Sequence, residues 1–174
     1  MEFDILYLIQ NYLRTNTIDQ IMVKIFNDFV GAKGEIWIIL GILLLVFPKT
    51  RKTALCLLSA YIISYFLGDG VLKNLIARPR PCVLKDNVAL LIGCPTSYSC
   101  PSVHSMLAFA SASSIFWFHK KTGIVALVFA AMVAFSRLYF FVHFPTDVLL
   151  GAVLGFAIGT AVYFLSKAGE KHRT

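Results

Sequence analysis

The residues best suited to chemistry lie in the run Ser136-Arg137-Leu-Tyr-Phe-Phe-Val-His143-Phe-Pro145-Thr146-Asp147, deep in an apolar part of the chain. It holds a guanidinium, an imidazole and a carboxylate. Charged groups at membrane depth are costly unless they face a partner, a cavity or a substrate, so three within a dozen residues read as a site. His143 and Asp147 are four apart. In a helical frame the carboxylate reaches one imidazole nitrogen, fixes the tautomer and leaves the other nitrogen free. It also stabilises the cation formed when the imidazole attacks an electrophile. Arg137 adds a forked donor suited to phosphate oxygens. The bland alternative is a Pro-kinked transmembrane helix with a satisfied His/Asp pair.

Two further stretches carry matching chemistry. Lys73-Asn-Leu-Ile-Ala-Arg78-Pro79-Arg80-Pro81 concentrates cations at the end of an apolar run, and Pro101-Ser102-Val103-His104 opens another. Proline pre-sets a first helical turn, whose backbone N–H groups lack intrahelical acceptors. The N–H groups around Ser102, Val103 and His104 therefore form an expected anion cradle, with Ser102 as an extra donor and His104 placed to give a proton. There is no carboxylate cluster for magnesium or calcium and no His/Cys set at zinc spacing, so no metal or other cofactor is expected. The chemistry that follows is phosphoryl transfer in two steps. His143 attacks phosphorus while Lys73, Arg80 and Arg137 hold the non-bridging oxygens and His104 protonates the leaving group. His104 then activates the water that hydrolyses the phosphohistidine, with Asp147 supporting His143 throughout.

The elements that position these groups are membrane helices. Of 174 residues, 58% are hydrophobic and only 14% charged, with a mean hydropathy of +0.76. Soluble domains carry about a quarter charged residues. The length and the lack of a polar linker suggest one domain over 1–174. Residues 3–13 and 18–30 are amphipathic and too short to span, so 1–30 reads as helices lying at the interface; 18–30 could instead belong to a sixth span. No basic leader or small-residue cleavage site marks a signal peptide. Apolar runs at about 31–47, 53–76, 103–118, 123–141 and 146–166 give five spans in an all-α polytopic bundle. Residues 77–101 form the long non-helical loop, with four of six prolines and three of four cysteines. Gly151, Gly155 and Gly159 make a small-residue stripe for close helix packing.

The formal charge of +7 is not arranged as a nucleic-acid face. With five spans, Lys49/Arg51/Lys52, Lys120/Lys121 and Lys167/Lys171/Arg173 share one side, which the positive-inside rule makes cytoplasmic. Lys73, Arg78, Arg80 and Arg137 fall at the opposite face. A positive cluster there is explained by a bound anion.

These motifs resemble those of the type 2 phosphatidic acid phosphatase family. Lys73, six residues, then Arg80-Pro81 is similar to its first signature. Pro101-Ser102-x-His104 resembles the second, with Val103 where the family has glycine, and a β-branched residue takes positive φ only at a cost. Ser136-Arg137, five residues, His143, three residues, Asp147 matches the third. The resemblance implies a helical membrane fold, metal-independent hydrolysis of a lipid phosphate or diphosphate, and the residue roles argued above. Undecaprenyl diphosphate and phosphatidylglycerophosphate are the favoured substrates, with phosphatidic acid and lipid A 1-phosphate behind them. It also implies a bacterial plasma membrane location, where the charge bias puts the site on the extracytoplasmic face.

Other residues support two readings each. Arg78 is either a fourth phosphate ligand or a headgroup anchor, and Tyr139, Phe140 and Phe141 either line a lipid-tail groove or belong to an interfacial belt. His119 reads as interfacial and His172 as part of a basic tail. Cys82, Cys94 and Cys100 allow three single pairings on the outer, oxidising side, of which Cys82–Cys94 is preferred. A non-catalytic anionic-lipid binder or transporter is the competing function. Its expected mid-bilayer polar groups are missing from these spans.

Overall fold

A computed structural model describes residues 1–31, 33–85 and 87–171, so the tail at His172 and Arg173 lies outside the described residues. Helix α1 (Glu2–Tyr12) opens with Glu2 and Asp4, whose charges complement the positive end of the helix dipole. The Thr15 side chain accepts from the Ile18 N–H and caps α2 (Asn16–Met22), which widens into a π-helical stretch at Val23–Phe29. Gly31 and Gly34 both sit at positive φ, where a side chain would be strained, and turn the chain into α3 (Glu35–Val46).

Helix α4 (Arg51–Tyr65) continues through a π-helical stretch, Phe66–Leu72, into α5 (Lys73–Ile76). The segment expected to be wholly non-helical contains a short helix, α6 (Pro81–Leu84), because Pro81 at its first position pre-sets φ and needs no N–H partner. The main bundle follows as α7 (Val103–Phe118), α8 (Lys120–Tyr139) and α9 (Pro145–Lys171).

Among the described residues, three helical runs are long and apolar enough to cross a membrane: Pro48–Leu84, Lys120–Tyr139 and Pro145–Gly169. Glu35–Val46 and Val103–Phe118 are apolar but shorter. At 1.5 Å per residue they rise about 18 and 24 Å, against roughly 30 Å of hydrocarbon.

Helix α7 is the central element, packed on α4, α8 and α9. Its contact with α9 is backbone to backbone. A Cβ on Gly155 would lie 2.1 Å from the Met106 carbonyl oxygen, and one on Gly151 would lie 2.4 Å from that of Ser102. The glycine stripe therefore brings the start of α7 against the start of α9. Helices adjacent in the chain run antiparallel, which gathers Lys73, Arg80, His104, Arg137, His143 and Asp147 at one end of the bundle. Lys49, Arg51, Lys52, Lys120 and Lys121 lie at the turns of the other end.

Helices α1 and α2 cover the site end. Gln10 donates to the Tyr139 carbonyl at 2.9 Å, Tyr139 Oη donates to Asp19 at 2.6 Å, and Arg14 donates to the Ala89 carbonyl at 2.7 Å. Phe3 packs edge-on to Phe144. Tyr139, Phe140 and Phe141 are each 1% exposed. They form neither a lipid-tail groove nor an interfacial belt, because the N-terminal helices cover them.

Candidate active site

Three turns supply the site. The first is the end of the long α4–α5 run. Lys73, 6% exposed, begins α5, and its Nζ donates to Asp69 Oδ1 at 2.8 Å and Ser97 Oγ at 2.9 Å. Arg80, 3% exposed, precedes α6. Its Nε donates to the Ser97 carbonyl at 2.7 Å and its Nη2 to Ser97 Oγ at 3.0 Å. Its Nη1 donates to the Val142 carbonyl at 2.9 Å and lies 3.0 Å from His143 Nε2.

The second is the start of α7. Val103 is the first helical residue and takes ordinary right-handed geometry, so the missing glycine imposes no positive φ here. Its methyl group instead packs where a Gly68 side chain would stand, 3.3 Å from that Cβ position. His104 lies one residue on, with Nε2 donating to the Gly31 carbonyl at 3.3 Å. Ser102 departs from expectation. It is fully buried, its N–H donates to the Asp147 carbonyl at 3.0 Å, and its Oγ accepts from Ser105 at 3.0 Å. The close α7–α9 contact consumes this donor, so Ser102 joins two helices and does not line the pocket.

The third is the α8–α9 turn. Arg137 is buried on α8, with Nη2 donating to the Phe26 carbonyl at 2.8 Å and Nε to Ser136 Oγ at 3.1 Å. Its guanidinium lies 4.9 Å from the Phe140 ring centroid. Asp147, fully buried, is the third residue of α9, and its Oδ2 accepts the Phe144 N–H at 2.9 Å, a cap formed from inside the helix. Asp147 Oδ2 is 3.8 Å from His143 Nδ1. The Ser99 hydroxyl stands beside both, donating to Oδ2 at 2.5 Å and 3.5 Å from Nδ1. The two nitrogens of His143 are thus distinguished: Nδ1 faces the carboxylate and Nε2 faces Arg80.

Lys73, Arg80, Val103, His104, Arg137 and His143 line one cavity of about 220 Å³, shared with Lys33, Tyr65, Asp69, Pro95, Ser97 and Val142. Burial drives the His143 imidazole down to about 4, with Arg80 and Arg137 in the same direction and Asp147 opposing, so the ring is neutral at pH 7. Among the described residues no group of three or more His, Cys, Asp or Glu side chains is placed to hold a metal ion. Cys82 and Cys94 are disulfide-bonded, with Cα atoms 6.0 Å apart, and Cys100 is buried beside Asp147. Ser97, Ser99 and Glu2 belong to the arrangement without any signal in sequence spacing. The serines sit in an irregular loop, and Glu2 lies far along the chain. Only the polar, Pro-bracketed run from Pro95 to Pro101 hinted that the loop approaches the cations.

Apolar helices long enough to cross a membrane, with a cation-lined cavity at one end of the bundle, fit a membrane lipid phosphatase. The PAP2 superfamily is matched over residues 53–169, and the chain belongs to that family. It is 33% identical to undecaprenyl-diphosphatase of Sulfolobus acidocaldarius, over 86% of this chain and 71% of that protein. It is 38% identical to phosphatidylglycerophosphatase B of Bacillus subtilis, over 60% of this chain and 52% of the relative. The crystal structure of LpxE from Aquifex aeolicus superimposes with a TM-score of 0.74 at 25% identity, covering 92% of this chain and 93% of that one.

Proposed function

We propose that the chain hydrolyses a phosphate monoester or diphosphate on a membrane lipid through a phosphohistidine at His143, without a metal ion. The observation that carries this reading is the meeting of Lys73, Arg80, Arg137, His104 and His143 around one small cavity, with Nε2 of His143 turned to Arg80. Nε2 uses its lone pair to form the N–P bond as the P–O bond to the lipid alcohol, or to the inner phosphate, breaks. The three cations shift their donors onto the non-bridging oxygens, where charge gathers in the transition state. His104 gives its proton to the departing oxygen. It then takes a proton from water as the water oxygen attacks phosphorus and the N–P bond breaks, releasing phosphate and restoring His143. Asp147 faces Nδ1 and stabilises the imidazolium.

The substrate class we favour is a polyprenyl diphosphate or phosphatidylglycerophosphate, supported by the names of the relatives above. In the five-span reading we favour, Glu35–Val46 and Val103–Phe118 cross the bilayer beside the three longer runs. The site then opens at the extracytoplasmic face, opposite the basic turns, and the headgroup enters from the membrane plane.

The test is phosphate release by detergent-purified protein in EDTA from undecaprenyl diphosphate, phosphatidylglycerophosphate, phosphatidic acid and lipid A. His143→Ala abolishes release. With radiolabelled diphosphate, whose inner phosphate leaves with less help from an acid than an alcohol does, His104→Ala accumulates acid-labile, base-stable phosphoprotein, because the second step loses its base. A wild type that binds these lipids and releases nothing overturns the catalytic reading in favour of a binder. Activity that disappears in EDTA and returns with metal overturns the metal-free mechanism.

A further inference from the structure

Arg78 lies outside the cavity that holds the other cations. Its guanidinium points the other way, toward the back of Asp147. Nη1 donates to Asp147 Oδ1 at 2.6 Å and to Thr146 Oγ1 at 2.7 Å, and the guanidinium carbon stands 4.0 Å from the Phe144 ring centroid. Nη2 donates to Glu2 Oε2 at the first turn of α1. The other oxygen of Glu2 accepts from Thr146 Oγ1 at 2.6 Å and from the Thr146 N–H at 3.2 Å.

The carboxylate of Asp147 is therefore held from two sides. Oδ1 is taken by Arg78, which leaves Oδ2 for Ser99, the Phe144 N–H and the imidazole. A fork engaging Asp147, Thr146 and Glu2 at once fixes the rotation of the carboxylate, which a single ammonium cannot do. With both terminal nitrogens bonded away from the cavity, Arg78 is neither a phosphate ligand nor a headgroup anchor in this arrangement. Burial tends to raise the Glu2 carboxyl, but hydrogen bonds from Thr146 and Arg78 outweigh it and hold the group below its ordinary range, so it is ionised.

We propose that Arg78 is a positioning residue of the phosphatase reaction, holding Asp147 against His143 from behind, and that Glu2 of the N-terminal helix completes the clamp by holding Arg78. The inference rests on the reading of His143 as the nucleophile. It makes the first helix part of the active site in a functional sense, through charges that never touch substrate.

The two partners carry opposite charge, so their removal has opposite electrostatic effects on His143. The groups acting on the imidazole are Asp147 on α9, with Arg78 and Cys100 beside that carboxylate, Arg80 before α6, Arg137 on α8 and His104 on α7, while Lys73, Asp69, Lys33 and Tyr65 share its cavity. Glu2 lies one contact further out on α1. Deleting the Arg78 cation raises the pH at which His143 protonates. Deleting the Glu2 anion lowers it, by less, because Glu2 is further away.

The experiment compares steady-state phosphate release from undecaprenyl diphosphate across pH for purified wild type, Arg78→Met, Arg78→Lys and Glu2→Gln. Substrate ionisation is common to all four, so differences in the acid limb of kcat/KM belong to the enzyme. Arg78→Met lowers kcat about ten- to a hundredfold, the scale of a lost charge-assisted hydrogen bond, with KM within about twofold. Its acid limb moves to higher pH. Glu2→Gln, a change at a partly exposed position that leaves the fold intact, lowers kcat a few-fold and moves the limb the other way. Arg78→Lys restores the limb and recovers only part of kcat. A loss confined to KM with an unmoved limb makes Arg78 a substrate contact and overturns the proposal, as does wild-type kinetics in both Arg78→Met and Glu2→Gln. A wild type that releases no phosphate removes the reading beneath the inference, and the inference with it. Should Arg78→Met fail to fold, the limb shift and kcat of Glu2→Gln decide alone.

Discussion

Gly155 lies two turns from Asp147 on α9 and touches no group of the site, yet its replacement by alanine should cost activity. The Cβ would stand 2.1 Å from the Met106 carbonyl oxygen and 2.9 Å from its carbon, both backbone atoms of α7 that cannot rotate away. Ordinary contact begins near 3.4 Å, so the two helices must part by about 1.3 Å. Met106 is two residues from His104, and Gly155 shares a helix with Asp147, so the acid and the nucleophile's partner separate with them. A displacement of about 1 Å in a catalytic constellation costs about a hundredfold in rate. Overpacking of this kind costs about 1–3 kcal/mol of stability. The assay is kcat/KM for lipid phosphate release beside thermal unfolding in the same detergent. Gly169→Ala serves as the control, since nothing lies within 4 Å of its Cβ position. Gly155→Ala should lose about two orders of magnitude in kcat/KM, while Gly169→Ala keeps wild-type activity. A Gly155→Ala protein with lowered melting temperature but full turnover would refute the claim that the α7–α9 contact sets the catalytic geometry.

Two further outcomes follow from buried chemistry. Burial lowers the His143 imidazole to about 4, against roughly 6.5 in an unfolded chain, so the unfolded state binds the extra proton between those values. His143 therefore contributes stability above about pH 6.5 that is lost as pH falls toward 4. Melting temperature measured over that interval should fall less steeply in His143→Gln than in wild type, and equal slopes would sink the assignment. The Cys82–Cys94 bond closes the loop that carries toward Ser97, the residue contacting both Lys73 and Arg80. Reduction should change electrophoretic mobility after thiol blocking and cost about 2–4 kcal/mol of stability. Unchanged mobility would mean the two thiols are not joined.

The fold was legible where hydrophobicity and length suffice, and illegible where neighbours decide. The apolar runs and the glycine stripe marked the bundle and its closest helix contact. Nothing local distinguishes the α-helical from the π-helical parts of α4–α5, because the same residues satisfy both periods and packing chooses between them. The aromatic triplet Tyr139-Phe140-Phe141 read as membrane-facing for the same reason. Its burial is produced by α1 and α2, which lie more than a hundred residues earlier.

For the site, the sequence could reveal groups whose meaning depends on spacing along one element, but not groups recruited across elements. His143 and Asp147 were legible as a pair, though Ser99 stands beside both and the pair sits at 3.8 Å. Ser102 is illegible for the same reason: a first-turn N–H has no intrahelical acceptor, but the small residues of α9 bring the Asp147 carbonyl close enough to take it. Arg78 is the clearest case. On the sequence it is one of three cations within eight residues, chemically equivalent to Arg80. Their roles part because Pro79 and the turn at Ala77 send the two side chains to opposite sides of the α8–α9 turn, Arg80 to His143 and Arg78 to the back of Asp147. A buried site of this charge is stable only when each cation has a partner, so the anions Asp69, Asp147 and Glu2, and the carbonyls that hold Arg80 and Arg137, are as much a part of its construction as the cations that would meet phosphate.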